Sequence, residues 1–328
     1  MSFTERTSVR LAAAVAAAGT LAITAALSVA TQAGASTAAA HVPAATKYTF
    51  TTLDDQADPT FNQLLGISNN KLICGYFGSG AAGHPNKGYT LKPPYGQADY
   101  TNENFPGSAQ TQVTGLNQIG DTAGFWIGSA GVSHGFVEWN GVFASYVDPH
   151  TPKVKDAVNQ LLGINNSGIA VGFYNDAKGN SHAYKVNQAT NVFTAITIPD
   201  AVSTVATGIN NAGDIVGTFT DAAGDTSSWL LTPSDHLTTY QFPGGSDTQA
   251  LGISGQNEIV GSYNDAAGVM HGFTLTDPMG PVSHWQSIDD PNGVGSTVVN
   301  GVNYAGDLVG FYTDAAGNTD GMLATPAS

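Results

Sequence analysis

Four aspartates occupy the same position of a repeated pattern in the second half of the chain. Each follows a repeated glycine by four residues and opens an Asp-x-x-Gly segment, and the four are Asp176, Asp221, Asp265 and Asp314. Carboxylates on successive loops are oxygen ligands of the kind that Ca²⁺ takes in proteins. These residues are therefore the candidate metal ligands, and Ca²⁺ is the candidate cofactor. The alternative is structural, and the pattern favours it, because Asp first and Gly fourth fit a type I turn.

Four further aspartates precede the first strand of a repeat, and they are Asp148, Asp200, Asp247 and Asp289. In the architecture predicted below they share one face with the first four. We expect this acidic face to bind a carbohydrate or a cationic ligand. Adjacent carboxylates such as Asp289-Asp290 could indicate glycoside hydrolysis, but neighbours on a strand point to opposite faces and cannot flank one sugar.

Other reactive side chains give weaker signals. His134, His182 and His271 share a position in predicted third strands, which lie away from the ring axis, so we do not expect them to form a metal site. Cys74 stands where other repeats carry small aliphatic residues, which indicates a core role. The chain has no His-Glu-x-x-His or phosphate-loop motif. These observations favour a binding protein over an enzyme.

The elements that position these residues are six internal repeats, spaced 44 to 49 residues apart. Each begins with a glycine, and these are Gly66, Gly115, Gly163, Gly208, Gly252 and Gly301. A second glycine follows at Gly75, Gly124, Gly172, Gly217, Gly261 and Gly310. Two positions later stand Phe77, Trp126, Tyr174, Phe219, Tyr263 and Tyr312. We expect the second glycine column and the aromatic column, which lie two residues apart and so on the same face of a strand, to be packing positions, where the missing side chains of the glycines let aromatic rings of a neighbouring sheet approach.

Each repeat has room for four short strands bounded by Gly, Asn, Asp and Pro turns. In the fourth repeat the predicted strands are 205–209, 214–219, 228–231 and 237–242. Four strands in about 45 residues are typical of one blade of a β-propeller. The sixth repeat ends after its third strand, and residues 48–55 resemble the fourth strand of repeat five. We therefore predict an all-β, six-bladed β-propeller of four-stranded antiparallel blades, closed by the N-terminal strand completing the last blade.

The combined pattern Gly-Ile-Asn-Asn-x-Gly-x-Ile-Val-Gly-x-Tyr-x-Asp-x-x-Gly-x-x-His-Gly-Phe is best preserved in repeats three to six. It resembles the extracellular HAF repeat, named for its His-Ala-Phe element, which reads here His134-Gly135-Phe136, His182-Ala183-Tyr184 and His271-Gly272-Phe273. The other repeats carry degraded versions: Lys87-Gly88-Tyr89, Ser227-Ser228-Trp229 and Asp320-Gly321-Met322. The resemblance covers nearly all of the chain after residue 40 and implies a secreted, propeller-like repeat protein. It implies no catalytic residues, because the family has no established general activity.

The charge balance limits the partners. The 328 residues carry a formal net charge of −15 and one cysteine. Binding to nucleic acid or anionic lipid needs clustered Lys and Arg, so the acidic balance excludes these partners. From His41 onward every basic residue is a lysine, and residues 186–328 hold fourteen acidic side chains and no Lys or Arg. Without arginine, a bidentate clamp on carboxylate or phosphate is not expected.

The N-terminus is typical of a secretory signal peptide. Arg6 and Arg10 precede a small apolar run that extends to Ala30, and Ala-x-Ala sites follow. Cleavage after Ala35 and after Ala40 fit equally well, and the alternative is an uncleaved membrane anchor. We predict a signal peptide at 1–40, a short linker at 41–47 and a propeller at 48–328. The mature protein would be a secreted, extracellular monomer without membrane contact.

The functional prediction is a secreted β-propeller binding module that presents its acidic loop face to an extracellular glycan or cationic ligand, with Ca²⁺ as the candidate cofactor. The alternative is an extracellular polysaccharide hydrolase or lyase that uses carboxylates of the same face. In a third interpretation, the negative charge serves only to keep the protein soluble, and the protein has no specific ligand.

Overall fold

The computed structural model describes residues 45–280 and 282–327, which form six four-stranded antiparallel sheets arranged in a ring. The predicted six-bladed β-propeller is thereby confirmed. The predicted signal peptide lies outside the described residues. Within them, no helix is long and apolar enough to cross a membrane.

Each blade is an antiparallel meander whose first strand is innermost. Blade one contains β2 (Asn62–Ile67), β3 (Ile73–Phe77), β4 (Lys87–Leu91) and β5 (Tyr100–Asn102), with a short 3-10 helix at Gln97–Asp99. Blade two contains β6 (Gln110–Leu116), β7 (Thr122–Ile127), β8 (Ser133–Trp139) and β9 (Val142–Tyr146). Blade three contains β10 (Asn159–Ile164), β11 (Ile169–Asn175), β12 (Ser181–Asn187) and β13 (Val192–Ala195).

The remaining blades repeat the arrangement. Blade four contains β14 (Ser203–Ile209), β15 (Ile215–Thr220), β16 (Thr226–Leu231) and β17 (Leu237–Tyr240). Blade five contains β18 (Ser246–Ile253), β19 (Ile259–Asn264), β20 (Met270–Thr276) and β21 (His284–Ile288). Blade six contains β22 (Thr297–Val302), β23 (Leu308–Thr313), β24 (Thr319–Pro326) and, as its outermost strand, β1 (Tyr48–Thr52).

The N-terminal strand closes the ring as the sequence predicts. β1 pairs antiparallel with β24, from Tyr48 opposite Pro326 to Thr52 opposite Met322. The backbone N–H of Ala327 donates to the carbonyl of Lys47 at 2.7 Å and extends this pairing. Each end of the chain therefore supplies strands to the same blade, which leaves no blade incomplete.

Glycine is required in the two glycine columns for different structural reasons. At the first, the inner strands meet around the axis, and a Cβ on Gly163 would lie 3.2 Å from the Cα of Gly208. At the second, the inner strand of the same blade bulges, and a Cβ on Gly172 would lie 2.0 Å from the carbonyl oxygen of Gln160. Both columns are packing positions. The rings that cover the second column, such as Phe136 over Gly124, come from the same sheet and not, as predicted, from a neighbouring one.

The propeller has two distinct faces. We call the upper face the one that carries the loops between second and third strands and the connections between blades; the lower face carries the other loops. On the lower face, backbone N–H groups donate to side-chain oxygens of the next blade: Asn69 to Gln118 at 2.6 Å, Gln118 to Asn166 at 2.9 Å and Asn166 to Asn211 at 2.9 Å. Tyr304 donates to Asn69 at 2.8 Å and joins blade six to blade one. We call this series the lower belt.

Six side chains, one from each inner strand, line both an upper and a lower chamber of the central channel. We call them the channel ring, and they are Leu65, Thr114, Leu162, Thr207, Leu251 and Asn300. The polar members bind the following blade: Thr114 donates to the carbonyl of Leu161 at 2.8 Å and Thr207 to that of Ala250 at 2.8 Å. The channel is therefore divided by a layer of side chains that also ties blades together.

The hydrophobic core lies between the sheets, as six clusters of buried residues. Cys74 is fully buried in the cluster with Val113 and Phe136, and burial raises the pKa of its thiol. The predicted core role of this cysteine is confirmed.

Candidate functional site

The four candidate metal ligands lie in four separate turns of the upper face, one on each of blades three to six. In each turn one carboxylate oxygen accepts two backbone N–H groups, as Asp265 does from Ala267 at 2.8 Å and Val269 at 2.9 Å. Asp176, Asp221 and Asp314 make the equivalent bonds at 2.8 to 3.0 Å. These are the contacts that the structural alternative predicts. In the described part of the chain, no three His, Cys, Asp or Glu side chains are grouped to hold a metal ion.

Of the four candidate ligand-binding aspartates, three lie on different connections between blades and Asp247 lies at the start of β18, and the structure does not bring the four into one group. Asp148 is 4% exposed and accepts from both the backbone N–H and Nδ1 of His150, at 2.8 and 2.9 Å. Asp200 is exposed, with a positive φ of 63°. Asp247 accepts from the amide of Asn264 at 3.2 Å, and Asp289 is bound to His271 at 2.7 Å.

The histidine column has a role that the sequence analysis missed. Nε2 of His182 lies 3.1 Å from Oδ2 of Asp176, and Nε2 of His271 lies 3.4 Å from Oδ2 of Asp265. In both blades the aspartate precedes the histidine by six residues, and this recurring spacing is the signal that could have revealed the pairs. The imidazoles also stack on the aromatic column, with a centroid distance of 5.2 Å between Tyr174 and His182.

Blade five contains the most extensive of these networks. His271 bridges Asp265 and Asp289. The hydroxyl of Tyr263 donates to Ser287 at 3.0 Å, and Ser287 donates to the second oxygen of Asp289 at 3.3 Å. Burial opposes protonation of His271, but the hydrogen bonds and charges of Asp289 and Asp265 outweigh it, so its pKa is raised. The Tyr263 ring is covered by Phe242, with centroids 3.6 Å apart.

In blade three the corresponding tyrosine is flanked by imidazoles. Tyr174 stacks with His182 and, at a centroid distance of 6.1 Å, with His150. Each imidazole is held by its own carboxylate, because Asp148 binds His150 and Asp176 binds His182. His150 comes from residues 147–158, the longest of the connections between blades. The local fold therefore presents two oriented imidazole–carboxylate pairs around one aromatic ring.

These side chains line a cavity of 390 Å³ on the upper side of blade three. We call it the blade-three pocket, and its wall includes Asp148, His150, Tyr174, His182, Tyr184 and Phe193. A second cavity of 460 Å³ lies beside residues 147–158, and Asp148 and Pro149 line both. It also contains His134 and Lys153. The connection between blades two and three thus stands between two adjoining recesses.

The electrostatics of the blade-three pocket define what it can do chemically. The hydrogen bond from His182, together with backbone N–H donors, holds the pKa of Asp176 well below its usual range. Burial and the charges of Asp148 and Asp176 raise the pKa of Tyr174, which keeps its hydroxyl neutral. The wall of the pocket offers the carboxyl group of Asp148, tyrosine hydroxyl groups, imidazoles and aromatic rings to a ligand. Such a combination of apolar surface with a few fixed polar groups is typical of small-molecule sites.

Comparisons with known proteins give structural neighbours and no sequence relative. No family model and no curated protein matches the chain. Among solved structures, it is similar to a fucose-specific lectin from Aleuria aurantia, with 12% identity, a TM-score of 0.48 and coverage of 80% of this chain and 90% of the lectin. It is also similar to TolB from Acinetobacter baumannii, with 10% identity, a TM-score of 0.47, and coverage of 77% of this chain and 63% of TolB. Similarity at this level assigns no ligand to this chain.

Proposed function

We propose that this protein is a secreted carbohydrate-binding β-propeller of the HAF-repeat type, and that it binds an extracellular glycan in the blade-three pocket. The observation that carries the proposal is the environment of Tyr174, whose ring lies between two imidazoles, each fixed by a carboxylate, in the wall of a 390 Å³ cavity. Secretion and family membership are supported by the signal-like residues 1–40 and by the repeat motif.

A sugar ring matches this site because it has an apolar face and a rim of hydroxyl groups. The aromatic residues Tyr174 and Phe193 supply apolar contact surface. The imidazoles of His150 and His182 and the hydroxyl group of Tyr174 supply acceptors and donors for hydroxyl groups. Because hydrogen bonds to Asp148 and Asp176 already fix both histidines, less side-chain freedom is lost when a ligand binds.

Binding without hydrolysis fits the carboxylates better than glycosidase chemistry does. A glycosidase needs one carboxyl group that stays protonated as a general acid, together with a second, ionised one. The pKa of Asp176 is lowered, which is the opposite of a general acid. Asp148 is buried and already accepts two hydrogen bonds from His150. We therefore favour the binding module over the hydrolase or lyase.

A glycan array followed by calorimetry on the best glycan tests the proposal. Tyr174→Ala should abolish binding, because it removes the central ring of the pocket. Tyr263→Ala is the matched control, since Tyr263 holds the same repeat position in blade five but is covered by Phe242. Binding that survives Tyr174→Ala and is lost in Tyr263→Ala would place the ligand elsewhere. Release of reducing ends that stops in Asp176→Asn would make the protein an enzyme.

A further inference from the structure

A second enclosed space lies on the axis of the propeller, on the upper side of the channel ring. This upper chamber has a volume of 280 Å³. Its wall is formed mainly by blades three to five and includes Phe173, Ser203, Val205, Thr218 and Gln249. None of these residues lines the blade-three pocket. The upper chamber is therefore a separate candidate site.

The chamber lies against blade four, which carries the small side chain of Thr218 at a position where four other blades carry aromatic side chains. The residue after the second glycine is aromatic in four blades, as Tyr76, Phe125, Phe173 and Phe311, but is Thr218 in blade four and Ser262 in blade five. The burial pattern agrees. β10 is buried along its whole length, whereas Ser203, Val205 and Thr207 of β14 are only partly buried. The small side chain of Thr218 thus leaves space on the blade-four side of the chamber.

The threonine hydroxyl groups of the floor have used their donors on the protein. Thr114 and Thr207 donate to carbonyls of the next blade, which leaves only lone pairs on their hydroxyl oxygens. The amide nitrogen of Asn300 donates to the carbonyl of Leu64 at 3.1 Å. The Oδ1 of Asn300 is buried, and no group in the described part of the chain bonds to it. A buried acceptor without a partner costs about 1–3 kcal/mol, so a ligand that brings O–H donors to this floor would be favoured.

The charge of the wall excludes ionic ligands. Among the described residues that line the chamber, all are neutral, with hydroxyl and amide side chains beside Leu, Val and Phe. An ion placed there would lose hydration without a countercharge, which is costly. The volume of 280 Å³ lies just below the usual range for ligand pockets, about 300–1,000 Å³. The space therefore suits one small molecule and not an oligosaccharide chain.

We propose that the upper chamber binds a small, neutral polyhydroxy molecule of monosaccharide or cyclitol size. Its hydroxyl groups donate to Thr114, Thr207 and Asn300 of the channel ring, and its carbon skeleton contacts Phe173 and Val205. This site differs from the glycan site of blade three in residues, in size and in charge.

The test uses D-glucose, D-galactose and myo-inositol as probes, in saturation-transfer NMR and calorimetry on the whole protein. At least one probe should bind the unaltered protein. Thr218→Phe restores the aromatic column and fills the chamber, so it should abolish the signal while the melting temperature stays equal or rises. Thr207→Val removes one floor acceptor and should weaken binding about three- to tenfold. Tyr174→Ala should leave this binding unchanged, which separates the inference from the proposed glycan site.

Three results would overturn the proposal. The first is that none of the probes binds the unaltered protein at any soluble concentration. The second is binding that persists in a folded Thr218→Phe protein; if that variant does not fold, Val205→Phe fills the same chamber and takes its place. The third is displacement of the bound probe by K⁺ or ammonium at constant ionic strength, which would identify the chamber as a cation site.

Discussion

Substituting Gly255 by Asn should stabilise the propeller, because the lower belt lacks one side chain there. In blades one to four this position is Asn69, Gln118, Asn166 and Asn211, and each of these side chains accepts a backbone N–H from the preceding blade. Blade five has Gly255 instead, so it offers no side-chain acceptor to the backbone of Asn211. The backbone of Gly255 is outside the left-handed region, and an added Cβ would meet nothing within 4 Å. An asparagine fits the site without strain.

The magnitude has two parts. One neutral hydrogen bond contributes about 0.5–1.5 kcal/mol. Loss of the freedom that glycine has in the unfolded chain contributes about 0.4–1 kcal/mol. Together they predict a gain of about 1–2 kcal/mol, and a rise in melting temperature of roughly 2–6 °C for a domain of this size. The hydrogen bond would join blades four and five. The lower belt joins blade one to two, two to three and three to four, but it makes no contact between blades four and five.

Thermal and urea unfolding of three variants separates these parts. Gly255→Ala gains the entropic part alone, so Gly255→Asn should exceed it by about 1 kcal/mol. Asn166→Gly removes an existing belt contact and should destabilise the protein by about 1–2 kcal/mol. Each transition must be two-state for these differences to be compared. Equal stability of Gly255→Asn and Gly255→Ala would refute the role assigned to the belt.

Four further predictions concern other parts of the molecule. Deletion of residues 48–52 removes β1 and should lower the melting temperature sharply in a thermal scan, whereas an unchanged curve would contradict the closure. Burial and the charge of Glu138 raise the pKa of Glu103 to about 7. Because the folded pKa exceeds the unfolded one, stability is lost as the pH rises through about 7. Glu103→Gln should therefore stabilise the protein at pH 8 and leave it unchanged at pH 4, below the ordinary glutamate pKa of 4.5, and equal effects at both would exclude ionisation as the cause. Native Cys74 should resist a thiol reagent and react fully in urea. Calorimetric titration with Ca²⁺ tests the predicted cofactor. If Ca²⁺ gives no binding heat and does not raise the melting temperature, the prediction is wrong.

The architecture could be predicted because the same sequence repeat occurs six times. The recurring glycines fix the inner strands, and the sequence places four strands in each repeat to within a few residues, as in blade four, where predicted 237–242 is observed as Leu237–Tyr240. The closure could be predicted for the same reason, since the missing strand had recognisable counterparts. Repetition turns a weak local preference into a reliable one, because each column is observed six times.

The site could not be predicted in the same way, because it depends on departures from the repeat. His150 lies in the long connection of residues 147–158, which has no counterpart in the other repeats, so no column shows that it reaches Tyr174. Asp148 was predicted to face a ligand, yet it is 4% exposed, because it is bound by the backbone and the imidazole of His150. A sequence shows that a carboxylate is present, but the path of an irregular loop decides how much of it stays free.

The channel ring has a consequence for how such a protein can gain or lose blades. Around the axis, leucines in blades one, three and five alternate with Thr114, Thr207 and Asn300 in blades two, four and six. Each polar residue binds the main chain of the leucine blade that follows it, including Asn300 of blade six to Leu64 of blade one. A closed ring in which leucine blades alternate with polar blades needs an even number of blades. Duplication or loss of a single blade would set two like neighbours side by side, so the unit that can be added or removed is a pair.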